Sequence, residues 1–227
     1  MNSSRCLASS IFRAFATDSR PWHITRKLRS DNHLDVQGEL KGTVTFKPAN
    51  HGAPDDTSDL VYEEQGEMPD PSGHNMAGMR WSRKYLWRLS DSNLSVWFVK
   101  VNTRPEKETQ DSQAEDLPDY LFHQLRFTSE GEGEAQNKEV SDLVPPPVSD
   151  EETTVLFAHG SHLCINDNYE TTYAFRMTRG CTSQIHSWTS SHLVQGPKKN
   201  QRIVNLYTRT TPDGSSPTPN PAFSMTF

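Results

Sequence analysis

Apolar and polar residues alternate with a period of two along much of this chain. The clearest case is MRWSRKYLWRLS (79–90), where Met79, Trp81, Arg83, Tyr85, Trp87 and Leu89 share one face and Arg80, Ser82, Lys84, Leu86 and Arg88 the other. A helix would repeat every 3.6 residues, so this is the pattern of a half-buried strand. WHITRKL (22–28) alternates in the same way, and LKGTVTFKP (40–48) sets Val44 and Phe46 against Thr43 and Thr45. DLVYEEQG (59–66), LSVWFVKV (94–101), YLFHQLRF (120–127), TTVLFAHG (153–160), ETTYAFRMT (170–178), QIHSWTSSHLV (184–194) and RIVNLYTR (202–209) bring the total to about ten strands. The runs SDSN, NDN and QGPKKNQ between them carry turn residues.

The strands follow one another with no helix long enough for a βαβ crossover. That order predicts an all-β fold: a single antiparallel up-and-down barrel, whose closure removes the exposed strand edges of an open sheet. A barrel of this size can hold one small ligand. A two-sheet sandwich is the competing architecture. Ahead of the strands, MNSSRCLASSIFRAFATDSR has arginines, serines and no acid before Asp18. Mitochondrial presequences share that composition. The other reading of SSIFRAF is a short amphipathic helix that closes one end of the fold. The expected organisation is an N-terminal segment with a short helix (1–18), a barrel domain (19–210) and a flexible tail (211–227).

Composition changes this picture in one respect. Only 33% of the 227 residues are hydrophobic, low for a globular domain. The deficit is concentrated in residues 103–119 and 128–152, which are nearly free of core formers and are expected to be acidic, disordered loops. The first carries six acids against Arg104 and Lys107, the second eight acids against Lys138. With those eleven net negative charges set aside, a chain of formal charge −6 leaves a remainder of +5. A mildly basic barrel is compatible with an anionic ligand, but no Lys/Arg cluster is dense enough for nucleic acid.

The three cysteines, Cys6, Cys164 and Cys181, show no C-x-x-C spacing, which speaks against a disulfide framework or zinc knuckle. No apolar run approaches the roughly 20 residues needed to cross a bilayer. The expectation is a reduced cytoplasmic protein, or a mitochondrial one if the N-terminus is a targeting segment.

Several stretches resemble a known family when taken together and in order: EEQGE, RKYLWRLSDSNLSVWFVKV, DYLFHQLRF, HLCINDNYETTYAF and VQGPKKNQRIVNLYTR. They are similar to the bacterial and fungal family of domains of unknown function numbered 6314, over roughly residues 20–210. The resemblance implies a calycin- or lipocalin-like barrel and no defined activity. Two departures from the family pattern stand out. Ser19-Arg20-Pro21 precedes Trp22 where the family has Gly-x-Trp, and Asn200-Gln201 replaces an Asp-Tyr pair after Gly-Pro-x-Lys.

The resemblance singles out Arg26, Glu64, Arg83, His123, His162, Asp167, Tyr169, Lys198, Tyr207 and Arg209 as polar residues of the pattern. Polar groups inside a barrel are costly unless bonded to each other, to water or to a ligand. On the functional reading Arg26, Arg83 and Arg209 hold an anionic or carbonyl-bearing ligand by forked hydrogen bonds, together with Glu64, Asp167, Lys198 and Tyr207. His162, His123 or Tyr169 then handle a proton. On the structural reading the same groups form a salt-bridged network that fixes strand register, with Asp167 a turn residue.

Other chemistries have weaker support. His162, Cys164 and Asp167 could make a three-ligand metal site, but a buried thiol beside a hydrogen-bonded histidine is commoner. His186 and His192 lie too far apart along a strand, roughly 20 Å, to share an ion. Several histidines on a barrel are all that would suggest haem. AHGSH (158–162) lacks the Gly-x-Ser-x-Gly elbow, and no phosphate-cradling glycine loop occurs. No metal and no cofactor are therefore expected. The favoured function is binding of a small hydrophobic or anionic molecule. The alternatives are a cofactor-independent isomerase, cyclase or dehydratase of fungal secondary-metabolism type acting on a hydrophobic metabolite, and an interaction protein that uses its acidic loops. Oligomeric state is left open.

Overall fold

The computed structural model describes residues 3–49, 57–68, 78–100, 116–128, 143–148, 152–179 and 184–209. One helix, α1 (Ser3–Thr17), precedes eleven strands: β1 (Trp22–Ser30), β2 (Gly38–Pro48), β3 (Thr57–Glu67), β4 (Arg80–Ser90), β5 (Asn93–Val99), β6 (Pro118–Gln124), β7 (Arg126–Phe127), β8 (Thr153–Cys164), β9 (Asp167–Thr178), β10 (Ile185–Gly196) and β11 (Lys199–Thr208). They form one antiparallel sheet in the order β6-β5-β4-β3-β2-β1-β11-β10-β9-β8-β7. A single continuous sheet is a barrel topology and not a sandwich.

The two outermost strands, β6 and β7, are separated only by Leu125, so the sheet rolls into a nearly closed up-and-down barrel. At that residue the chain changes partner. The Leu125 amide donates to the Leu94 carbonyl at the start of β5 at 2.8 Å, whereas the Thr128 amide donates to Phe157 of β8 at 3.2 Å. Counted as one bent strand, 118–127 brings the total to the ten expected from the alternation. The β8–β9 hairpin turns at Ile165 and Asn166, with Cys164 opposite Asp167, rather than at Asn166-Asp167-Asn168. Ile165 takes a φ of 58°, a costly conformation for a β-branched residue. Antiparallel pairing of the two long strands, from Thr153↔Thr178 to Cys164↔Asp167, overrides the local turn preference.

The helix end of the barrel is closed by α1. Ala8, Ile11, Phe12 and Phe15 recur at helical spacing and are buried. The Phe15 ring stacks on Phe46 with centroids 4.1 Å apart and meets Trp87 and Trp188 edge-on, both at 5.5 Å. Such aromatic contacts add to the burial of a large side chain. Just after α1, Asp18 pairs with Arg20 and Arg209, each at 2.6 Å. The Arg209 guanidinium lies 3.9 Å over the Trp22 ring. These contacts tie α1 to both barrel termini.

Residues 101–115, 129–142, 149–151 and 210–227 lie outside the described residues, and with them most of the two acidic loops and the tail. Residues 143–148, inside the second loop, pack on the barrel. Leu143 is buried, the Pro145 carbonyl accepts from Arg176 Nε and Nη2 at 3.1 and 2.7 Å, and the Leu143 carbonyl accepts from the Thr189 hydroxyl. One leucine and two carbonyls therefore hold a stretch whose composition alone argues for disorder. Among the described residues no helix is long and apolar enough to cross a membrane.

Candidate functional site

Alternation along the strands sends one residue in two into a cavity of about 360 Å³. Its aromatic lining comes from Tyr62, Tyr85, Trp87, Phe98, Tyr120, Phe122, Tyr169, Tyr173, Trp188 and Tyr207. Its polar lining comes from Arg26, Glu64, Arg83, His162, Ser190, His192, Gln201 and Asn205, and Cys164 also borders it. The cavity reaches the surface at the end opposite α1, where Tyr120 is 47% exposed and the Arg83 side chain 48% exposed. Leu34, Val36, Met79, Leu163 and Ile165, also exposed large hydrophobics, belong to strand ends and connections at this same open end, whereas exposed Leu121 lies mid-strand on β6 and borders a different cavity.

The polar groups form a chain across five strands. Arg26 on β1 donates from Nη2 to Glu64 Oε2 at 2.8 Å and from Nε to Asn205 Oδ1 at 2.7 Å. The Tyr62 hydroxyl donates to the same Glu64 oxygen at 2.5 Å and lies 3.2 Å from the Tyr207 hydroxyl. Asn205 Nδ2 donates to Ser190 Oγ at 2.8 Å, and Ser190 Oγ is 3.3 Å from His192 Nε2. The other imidazole nitrogen, Nδ1, is 3.0 Å from the Thr171 hydroxyl. Arg83 Nε lies 3.8 Å from the second oxygen of Glu64, Oε1, which has no hydrogen-bond partner among the described residues.

Burial sets the protonation of this chain. It opposes the charge on Arg26, and the Glu64 carboxylate overcomes that opposition, holding the guanidinium above its usual range. It pushes the phenols of Tyr62 and Tyr173 well above theirs, and that of Tyr207 up to about 12. His192 is driven down to about 3, first by burial and then by the charges of His123, Arg26 and Arg83. The phenols therefore stay protonated and this imidazole neutral.

His123 sits at the seam where β6 and β8 separate. A bulge puts it there: Val96 faces His123 while Trp97 faces Leu121, leaving Phe122 as the extra residue. Phe122 and His123 are therefore both buried although consecutive. His123 Nε2 meets the Tyr173 hydroxyl at 3.0 Å, and burial, aided by His162, lowers its pKa to about 3. A second cavity of about 370 Å³ follows this seam, bordered by His123, Gly160, Glu170 and Thr171 among others.

Of the residues singled out from sequence, Arg26, Glu64, Arg83, His162, Tyr169 and Tyr207 line the cavity. His162 and Tyr169 are register partners on β8 and β9, their rings 6.0 Å apart near the open end. Four others do not line it. His123 borders the seam cavity. Asp167 pairs with Lys199 at 2.8 Å at the rim. Lys198 is exposed at the tip of the β10–β11 turn. Arg209 is at the α1 end, on Asp18 and Trp22. Tyr62, Ser190, His192 and Asn205 were not among the sequence candidates. Ser190 and His192 share parity with Trp188, and that alternation is the signal that could have found them. Among the described residues no three His, Cys, Asp or Glu side chains are grouped closely enough to hold a metal ion.

The sequence model of a family of unknown function (DUF6314) matches residues 19–209, which includes every strand of the barrel. No curated protein matches the chain.

Proposed function

We propose that this chain, which belongs to the DUF6314 family, binds a small, flat, largely apolar molecule inside its barrel and orients it by the polar chain that runs from Tyr207 to His192. The observation that carries this reading is the aromatic cavity of about 360 Å³, into which polar groups from several strands converge. That size and mixture of apolar wall and few polar contacts are typical of small-molecule sites. The exposed apolar residues at the open end suit the passage of an apolar ligand, while Phe15 seals the other end.

Binding is favoured over turnover because the buried titratable groups are tuned away from neutrality. General acid–base catalysis works best with a group whose pKa lies near the working pH, whereas in this cavity His192 is lowered to about 3 and Tyr207 raised to about 12. The cavity thus offers hydrogen bonds and ring faces more than mobile protons. The test is titration with the neutral fluorophore N-phenyl-1-naphthylamine. Saturable one-to-one binding is expected, lost in Val194→Trp, which fills the cavity, while circular dichroism stays that of the parent. Equal binding by the parent and a folded Val194→Trp variant would overturn the reading.

A further inference from the structure

We infer that the bound molecule presents a neutral aromatic hydroxyl to Glu64 and Arg83, and that this single group is what the cavity recognises. The inference rests on the proposed binding function and adds the chemical class. Glu64 is 1% exposed, and its two oxygens are used very differently. Oε2 takes donors from both Arg26 and Tyr62. Oε1 takes none among the described residues, although Glu64 borders the cavity. A carboxylate can only accept hydrogen bonds, and leaving a buried acceptor unsatisfied costs free energy. The missing partner is therefore a donor, and the cavity is where it would come from.

Arg83 narrows the choice. Its Nε lies 3.8 Å from Glu64 Oε1, too far for a hydrogen bond but close enough for one oxygen beside the pair to reach both atoms. A hydroxyl does both tasks at once, donating to Oε1 and accepting from Arg83. An ether or ketone oxygen could satisfy Arg83 only and would leave Oε1 facing a lone pair. A ligand carboxylate would gain Arg83 but face the Glu64 charge across the same gap. An ammonium would satisfy Oε1 but meet the two guanidiniums of Arg26 and Arg83. The ring that carries the hydroxyl is specified by the lining nearby: Tyr85 and Phe122 stack with centroids 5.9 Å apart, and Trp87 and Trp188 lie deeper.

Equilibrium dialysis of the full chain at pH 7 against 2-naphthol, 2-methoxynaphthalene and 2-naphthoate tests this. The three share one ring system and differ in having a donor and acceptor, an acceptor alone, and an anion. A hydrogen bond to a charged group predicts that 2-naphthol binds about tenfold or more tightly than the methyl ether. Arg83→Met leaves the Arg26–Glu64 pair in place and is expected to shrink that preference. Glu64→Gln, checked for folding, is expected to shrink it further. Equal binding of 2-naphthol and its ether overturns this inference and leaves the proposed binding function standing, as does 2-naphthoate binding tightest. A chain that binds N-phenyl-1-naphthylamine but none of the three overturns this inference alone, and one that binds neither the fluorophore nor any of the three overturns both.

Discussion

The imidazole of His123 occupies the space that a Cβ on Gly160 would need: a Cβ built there lies 2.5 Å from the ring. The two residues face each other across the seam between β6 and β8, where the strands are no longer paired. Glycine at 160 lets a ring fill the place of the missing ladder, so side-chain packing finishes the closure that hydrogen bonds begin at Arg126↔His159 and Phe127↔Ala158.

Gly160→Ala is expected to push His123 out of this seat and to destabilise the fold by about 1–3 kcal/mol, the usual cost of overpacking. Urea unfolding measures it. A wild-type midpoint in Gly160→Ala would show that the ring does not hold the seam.

The buried pair of Arg26 and Glu64 gives an asymmetric prediction. Arg26→Met alone strands the Glu64 carboxylate and is expected to cost about 3–5 kcal/mol. The double change Arg26→Met with Glu64→Leu is expected to cost less than the single one, because no charge is left behind. A double variant less stable than Arg26→Met would contradict this assignment.

Stability is expected to fall as the pH drops from about 6.5 to about 3. His123 and His192 are lowered from 6.5 to about 3 in the fold, so over that window the unfolded chain binds protons that the folded one does not. The stabilisation is complete above pH 6.5 and is lost on acidification, at up to about 1.4 kcal/mol per pH unit for each histidine. His192→Gln is expected to reduce the slope by about one proton. An unchanged slope of unfolding free energy against pH would place this titration elsewhere.

Phe15→Ala removes the ring that α1 inserts among Phe46, Trp87 and Trp188. The expected loss is about 3–5 kcal/mol, as for other buried aromatics cut to alanine. Thermal or urea unfolding reads it directly, and a loss below about 1 kcal/mol would mean that α1 rests on the barrel without plugging it.

Cys164 borders the cavity, whereas Cys6 on α1 is exposed. In a Cys181→Ser background, a saturating aromatic ligand is expected to slow modification of Cys164 and to leave Cys6 unchanged. Mass spectrometry of thiol-labelled peptides distinguishes the two sites. Equal rates at Cys164 with and without ligand would argue that the ligand lies outside the barrel.

Strand existence and facing were legible in the sequence because both are local. A strand turns its side chains alternately to either side, so the period of MRWSRKYLWRLS already separates Arg83, Tyr85 and Trp87 from Lys84, Leu86 and Arg88. The helical spacing of Ala8, Ile11, Phe12 and Phe15 is local in the same sense. Depth along the barrel is not local. Arg209 follows Tyr207 at the same parity, yet it lies against Asp18 and Trp22 at the plugged end. Lys198 sits beyond the end of β10, in a turn that carries it into solvent. Only sheet register and the place of α1 decide those positions. Nor could spacing reveal that Arg26 meets Glu64, 38 residues away, since that contact depends on β1 and β3 flanking β2. The seam was hidden too, because one bulged residue reverses the facing of His123. Alternation thus determined the barrel and most of its lining. The tertiary structure decided which polar residues pair, because pairing depends on strand order, register and bulges, which join residues distant along the chain.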